Sequence, residues 1–269
     1  VLGTDLSEEA KMNEGDTTEV SIPYPDSETL HLHLSIGACR LHVKPGAGEA
    51  WVSGTYRDPT GHVPLRVLQE GGAVRITQGH NFGDFTRIFE GAPTFDLAIG
   101  NSRPFQLTIE GGASENRLDL SGLPITQLIL KHGAGRNELD FSAPNPVRMQ
   151  SLEIGAGAGN LVARNLANSN TPQLRVDGGA AAFSLDFGGD LGADMEVRIS
   201  TGVSSVEVSI PSSTPAKIYC EAMLSGLRVG DGFMKKEGAF WTQGALAGEG
   251  PLVTIRTKIA VGSLSIRAT

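Results

Sequence analysis

Between Phe105 and Ile210 the chain repeats one pattern of apolar and polar positions. The unit is apolar-x-apolar, a few residues rich in glycine and alanine, then apolar-x-apolar again. It reads Leu107-Thr108-Ile109, Gly111-Gly112-Ala113 and Leu118-Asp119-Leu120, then Leu128-Ile129-Leu130, Gly133-Ala134-Gly135 and Leu139-Asp140-Phe141. Further copies open at Leu152, Leu174 and Val197, so the opening positions 107, 128, 152, 174 and 197 are 21, 24, 22 and 23 residues apart. A recurring step of that size marks stacked units that bury a shared core. Within each half the alternation has the period of two that belongs to a strand. A helix would need a period of 3.6 and would lose about 1 kcal/mol at each interior glycine.

Backbone groups of such short strands are satisfied most readily by the matching strand of the next copy. Leu107 and Ile109 then point inward and Thr108 outward, with glycines at corners where a neighbouring layer excludes a Cβ. An early copy runs through Leu30-His31-Leu32-His33-Leu34 and Leu41-His42-Val43. Val63–Leu68 and Ala73–Thr77, joined through Gly71-Gly72, predict an antiparallel hairpin. Beyond Ile210 a coil opens at Ile218-Tyr219-Cys220 and closes at Leu227-Arg228-Val229; the last strands are Leu252–Ile255 and Leu264–Ile266. The predicted fold is all-β: a single-stranded, β-helix-like parallel β-solenoid of about eight coils, each pairing with the next, with a hairpin-bearing N-terminal portion. Residues 1–17 read as a disordered polar leader, 18–101 as the N-terminal portion, and 102–269 as the repeats with an insertion at 230–250, continuous with what precedes.

Composition fits a thin core: 39% of residues are hydrophobic, only 6% are aromatic, and glycine reaches 35. The net charge of −8 argues against a nucleic acid held through its phosphates. No apolar run of about 18 residues is present, so no membrane span is expected within the chain. A start at Val1 is compatible with a mature chain freed of a signal or anchor. Cys39 and Cys220 fall in an early and a late copy. Layers spaced by about 4.8 Å put them beyond the roughly 7 Å reach of a disulfide, and both are expected free.

Candidate chemistry is sparse. Gly155-Ala156-Gly157-Ala158-Gly159 has the glycines of an anion-cradling loop, but a strand rather than a helix follows. His31 and His33 share a strand face, with His42 nearby, a pair of imidazoles that could begin a zinc or copper site. Nothing close supplies a third and fourth ligand. Asp119 and Asp140 occupy matched outward positions, with Asp186 and Glu207 at related places and Val162 breaking the column, and the nonapeptide of calcium-binding β-rolls is absent. No nucleophile elbow or triad pattern appears, so no catalytic residue, metal or cofactor is assigned. Carboxylates spread along the faces leave a glycosidase pair open. Two aromatic interruptions stand out, Phe82, Phe85 and Phe89 in one and Phe233, Phe240 and Trp241 in the other. Each either folds over an open end of the stack as a cap or offers a partner surface.

The phrases Leu118-Asp119-Leu120-Ser121-Gly122-Leu123-Pro124, Leu128, His132-Gly133-Ala134-Gly135 and Leu139-Asp140-Phe141 resemble those of the bacterial toast-rack domains. These are β-solenoids related to the C-terminal region of LiaF-type cell-envelope stress proteins and to adhesin-like solenoids. Leu30–Tyr56, with Ser35-Ile36-Gly37-Ala38 and Val52-Ser53-Gly54-Thr55-Tyr56, is similar to the N-terminal part of the same architecture. The resemblance covers residues 18–269. It implies a non-enzymatic scaffold or interaction module outside the cytoplasm of a bacterium, secreted or anchored at the cell surface, whose partner is a protein or a cell-surface glycan. A carbohydrate-binding or carbohydrate-active, adhesin-like β-helix is the alternative, and self-association through the solenoid ends is a further possibility.

Overall fold

The computed structural model describes residues 4–5, 17–46, 48–79, 91–248 and 250–269, with backbone alone at 4–5 and 222–225. Eight short strands come first: β1 (Thr4–Asp5), β2 (Thr17–Ile22), β3 (His31–Ile36), β4 (Arg40–Gly46), β5 (Val52–Arg57), β6 (Leu65–Glu70), β7 (Ala73–Gln78) and β8 (Thr94–Gly100). Six long ones follow: β9 (Phe105–Asp119), β10 (Ile125–Asp140), β11 (Leu152–Arg164), β12 (Gln173–Asp186), β13 (Met195–Ile210) and β14 (Ala216–Val229). A hairpin, β15 (Phe233–Lys236) and β16 (Ala239–Thr242), leads through helix α1 (Gln243–Ala247) to a last long strand, β17 (Val253–Ala268). Each repeat that reads in sequence as two strands about a glycine corner is one strand of 13 to 16 residues running through that corner.

The long strands pair in parallel and in register, Leu128 standing opposite both Leu107 and Leu152, Leu174 opposite Leu152, and Val197 opposite Leu174. Every member of this column is buried, and one hydrophobic cluster extends from Val20 to Ile266. At the first layers, β3 and β4 lie along the two halves of β9, and β7 and β8 lie parallel beyond them.

Layer order departs from chain order at the far end. β17 sits between β13 and β14, with Ile255 opposite Val197 on one side and Ile218 on the other. The expectation that each coil pairs with the next is thus corrected for β14. All three strands carry the same inward alternation, so the apolar pattern fits either order equally.

The sheet is also not parallel throughout. β6 pairs antiparallel with β7, β5 with β8, β2 with β5 and β1 with β6. At the other end β16 pairs antiparallel with β14, and β15 with β16. The result is an open, mixed sheet rather than one uniformly parallel coil. The β6–β7 hairpin closes at Gly71-Gly72 as expected, with Gly71 at φ +55°, where a side chain is disfavoured. Thr4 and Asp5, assigned to the leader, pair with Gln69 and Leu68.

Candidate functional site

Because alternation buries every second side chain, the residues between become columns on the outer faces, one residue per layer. The Leu-Asp phrase explains itself in this setting. Asp119 accepts the Ser121 N–H (3.1 Å), Asp140 accepts from Asn165 Nδ2 (2.7 Å), and Asp186 accepts from the Ser209 hydroxyl (3.0 Å) and the Asn165 N–H (3.2 Å). Asp140 and Asp186 tie successive layers together at the ends of the long strands, whereas Asp119 closes its own turn. They do not form one unbroken column: Asp140 faces Arg164, Val162 stands opposite Glu138, and Glu207 opposite Ser184. Val162 therefore lies in Glu138's column, not between Asp140 and Asp186. Gly155–Gly159 lies inside β11 and continues as strand.

His31 and His33 do share a face, their rings stacked at 6.1 Å, but each has its own partner on β9. His31 Nε2 meets Thr108 Oγ1 at 2.9 Å and His33 Nε2 meets Glu110 Oε2 at 3.0 Å. His42 is engaged by Asp96 at 2.8 Å. Burial, with His33 and Arg75 nearby, holds His31 below the usual imidazole pKa. Among the described residues no three His, Cys, Asp or Glu side chains gather to hold a metal ion. Cys39 is buried and its thiol is pushed up to about 12 by that burial, which leaves it unreactive.

Of the aromatic residues, Phe82, Phe85 and Phe89 lie outside the described residues. The second group sits on the end hairpin, where Trp241 and Phe240 of β16 pair with Lys217 and Ile218 of β14. Trp241 is 9% exposed, donates from Nε1 to the Lys236 carbonyl (3.0 Å), and carries the Lys217 ammonium 4.0 Å above its ring. Phe233 and Phe240 pack against the main core.

Two features were not anticipated. The first is a polar cluster inside the corner of β9 and β10. Ser114 and His132 meet at 3.3 Å, and Asn116 donates to Asn137 at 2.6 Å, all four being buried. Asn116 and Asn137 sit two residues before Leu118 and Leu139, so strand parity alone places them inward. The second is a basic column on the outer face. Arg175 of β12, Arg198 of β13 and Arg256 of β17 stand opposite one another in successive layers, all exposed, with Tyr219 of β14 next in line. Arg175 bonds Asp177 at 2.6 Å and Arg256 lies 4.4 Å over the Tyr219 ring. Beside this column, at the glycine corner, is a depression of about 550 Å³ lined by Asp177, Ser200 and Lys258 together with Gly178, Gly179 and Gly202.

A layered all-β sheet with polar ladders on its outer faces defines the class of protein. The family model described as the N-terminal domain of toast_rack, DUF2154, matches residues 11–162, and the chain belongs to that family. No curated protein matches the sequence. Among solved structures, a protein proposed to act in cell adhesion from Clostridium sporogenes has a TM-score of 0.50 at 14% identity, over 95% of this chain and 100% of that one. A proposed adhesin from Bacteroides fragilis has a TM-score of 0.45 at 10% identity, over 94% and 96%. A proposed lipid-binding protein from Parabacteroides distasonis has a TM-score of 0.37 at 9% identity, over 94% and 97%.

Proposed function

We propose that this chain is a non-enzymatic interaction module of the bacterial cell envelope, working outside the cytoplasm. Its working part is the parallel stack from β7 and β8 to β14, a solenoid-like body continuous with its N-terminal portion and ended by antiparallel strands. One observation carries the reading: Asp140, Asp186, His31 and His33, among the side chains best suited to chemistry, are engaged in holding layers together, as with Asp140 to Asn165 and His33 to Glu110. What is left to solvent is a set of long, regular faces suited to binding rather than turnover. The aromatic hairpin at Phe233, Phe240 and Trp241 serves as the end cap, which the inward packing of Phe233 and Phe240 supports.

A second reading, adhesion through a surface glycan, is favoured by the fold shared with the clostridial cell-adhesion candidate. The test has two arms. Protease treatment of intact host cells should remove the protein from blots while a cytoplasmic marker survives, and the purified chain should be retained on isolated bacterial cell walls above an unrelated acidic protein. Full protection in the first arm, or no retention in the second, refutes the proposal.

A further inference from the structure

We infer that the open edge of β14 is a homodimer interface, along which a second copy of this chain lays its own β14 antiparallel over residues 220–229 and continues the stack. This pairing does not depend on where the chain works. β14 is bonded to β17 along its length on one side. On the other side β16 reaches only Lys217 and Ile218, so from Tyr219 to Val229 no strand pairs with that edge among the described residues. The consequence shows in the core. Ile218, under the hairpin, is fully buried, whereas Leu227 is 41% exposed, although it follows Phe183, Val206 and Leu264, each at most 2% exposed, in one inward column. A long strand edge with free N–H and C=O groups beside an uncovered core residue is a template for a further strand.

The strand itself selects a second copy as the occupant. A two-fold axis through the middle of the free stretch, between residues 224 and 225, makes the edge its own complement. Antiparallel pairing about that axis sets Cys220 opposite Val229, and Glu221 opposite Arg228, of the second copy. Backbone parity agrees with this register. The Ala216 N–H points away from β17, to Thr242, so alternation turns the N–H and C=O of Ile218 and Cys220 to the free edge. Beyond the corner the Gly230 N–H bonds Ile266 of β17, which turns those of Leu227 and Val229 to the free edge as well. Cys220 and Val229 thus make a hydrogen-bonded pair with both side chains inward, where each already packs against the core. Glu221 and Arg228, both exposed, make the closer, non-hydrogen-bonded pair on the outer face, an opposite-charge pair that the two-fold axis produces twice. Neither has an ion-pair partner among the described residues, and Glu221 stands opposite Lys258 without closing one. A strand from another protein would have to bring the same two charges in the same order, whereas this chain already holds them. The far end of the molecule offers no such match, since β2 and β6, its outer strands, have six residues each.

The test is sedimentation equilibrium of the whole chain over a concentration series. An edge pairing buries little area, so the chain is expected at 28.2 kDa when dilute and to approach twice that mass as concentration rises. Glu221→Arg sets like charges opposite each other at both ends of the interface, and so does Arg228→Glu; each variant alone should self-associate about tenfold more weakly. Mixed in equal amounts, the two restore both opposite-charge pairs and should form a heterodimer as tight as the parent dimer. Both residues are exposed, so the melts should hold. If either variant melts early, Glu221→Cys with Arg228→Cys in a Cys39→Ser, Cys220→Ser chain takes its place: oxidation is expected to give a disulfide-linked dimer, and monomer alone refutes the pairing. A parent that stays monomeric at every concentration overturns the inference and leaves the edge to a strand of another protein. Masses that climb past the dimer, as head-to-tail stacking would give, overturn it too, as does association that ignores both charge changes or that mixing fails to restore.

Discussion

The backbone of Gly157 runs so close to that of Gly133 that a Cβ on Gly157 would lie 2.5 Å from the Gly133 carbonyl oxygen. Gly179 stands in the same relation to Gly157, again at 2.5 Å. Layers meet here through bare backbone, and no flexible side chain can yield. Gly157→Ala is therefore expected to cost about 1–3 kcal/mol, the usual range for overpacking, seen as a lower urea midpoint. Gly226→Ala, on outer strand β14 with nothing within 4 Å of the added Cβ, should leave the midpoint unchanged. Equal effects at the two positions would contradict close stacking at the corner.

His132 supplies a pH dependence. Its ring is buried, and that burial holds its pKa below the usual 6.5 despite a favourable hydrogen bond at the Ala134 backbone. The folded chain thus resists a proton that the unfolded chain accepts. Stability is full above about pH 6.5 and is lost as pH falls toward the folded-state value, by at most about 1.4 kcal/mol per pH unit for one proton. His31, also lowered, acts in the same direction. Urea midpoints should fall between about pH 7 and 5, less steeply in His132→Gln; identical slopes would show that His132 is free to charge when folded.

The end hairpin is pinned by Thr242. Its buried hydroxyl accepts the Ala216 N–H at 2.9 Å and donates to the Thr214 carbonyl at 2.7 Å, and it also accepts the Ala245 N–H at 3.3 Å as the cap of α1. Thr242→Val keeps the shape and orphans those groups, at about 1–3 kcal/mol. Trp241→Ala should lower the melt further, in the range of about 3–5 kcal/mol for a large buried ring. A melt unchanged in both variants would mean that the hairpin does not cap the stack.

Strand β17 is paired on both sides, by β13 and by β14. A chain ended after residue 250 should leave β13 with a long unpaired edge, a template for association. Light scattering is expected to show masses above the 28.2 kDa of the untruncated 269-residue chain; a stable truncated monomer would mean that β13 and β14 simply close on each other.

Much of this architecture is legible in the chain because burial follows strand parity. Leu107, Leu128, Leu152 and Leu174 open their repeats and form one buried column, and Gly71-Gly72 marks its hairpin. Parity has nothing to say about which layer lies next to which. Ile218 and Ile255 are equally good neighbours for Val197, so the position of β17 was hidden, and with it the alignment of Arg256 with Arg198 and Arg175. The carboxylates misled in a different way. Asp119, Asp140 and Asp186 look like a column of free charge in sequence, whereas each accepts bonds at a strand end, from Ser121 and Asn165 in the turns and from Ser209 at the end of β13. Asn116 and Asn137 could have been found by parity, but polar residue types suggest the surface, and their mutual bond is visible only once layers are stacked.

The layer order is tested most directly by engineered disulfides in a chain with Cys39→Ser and Cys220→Ser. Ser205 and Ser263 stand opposite each other with hydroxyls 3.1 Å apart, and Ser263 in turn faces Gly226. Ser205→Cys with Ser263→Cys places two thiols on adjacent strands about 4.8 Å apart, within disulfide reach, and should oxidise readily to an intramolecular bond. Ser205→Cys with Gly226→Cys spans two layers and should stay reduced. The reverse result, a bond between 205 and 226 and none between 205 and 263, would mean that β14 follows β13 directly and that the order described here is wrong.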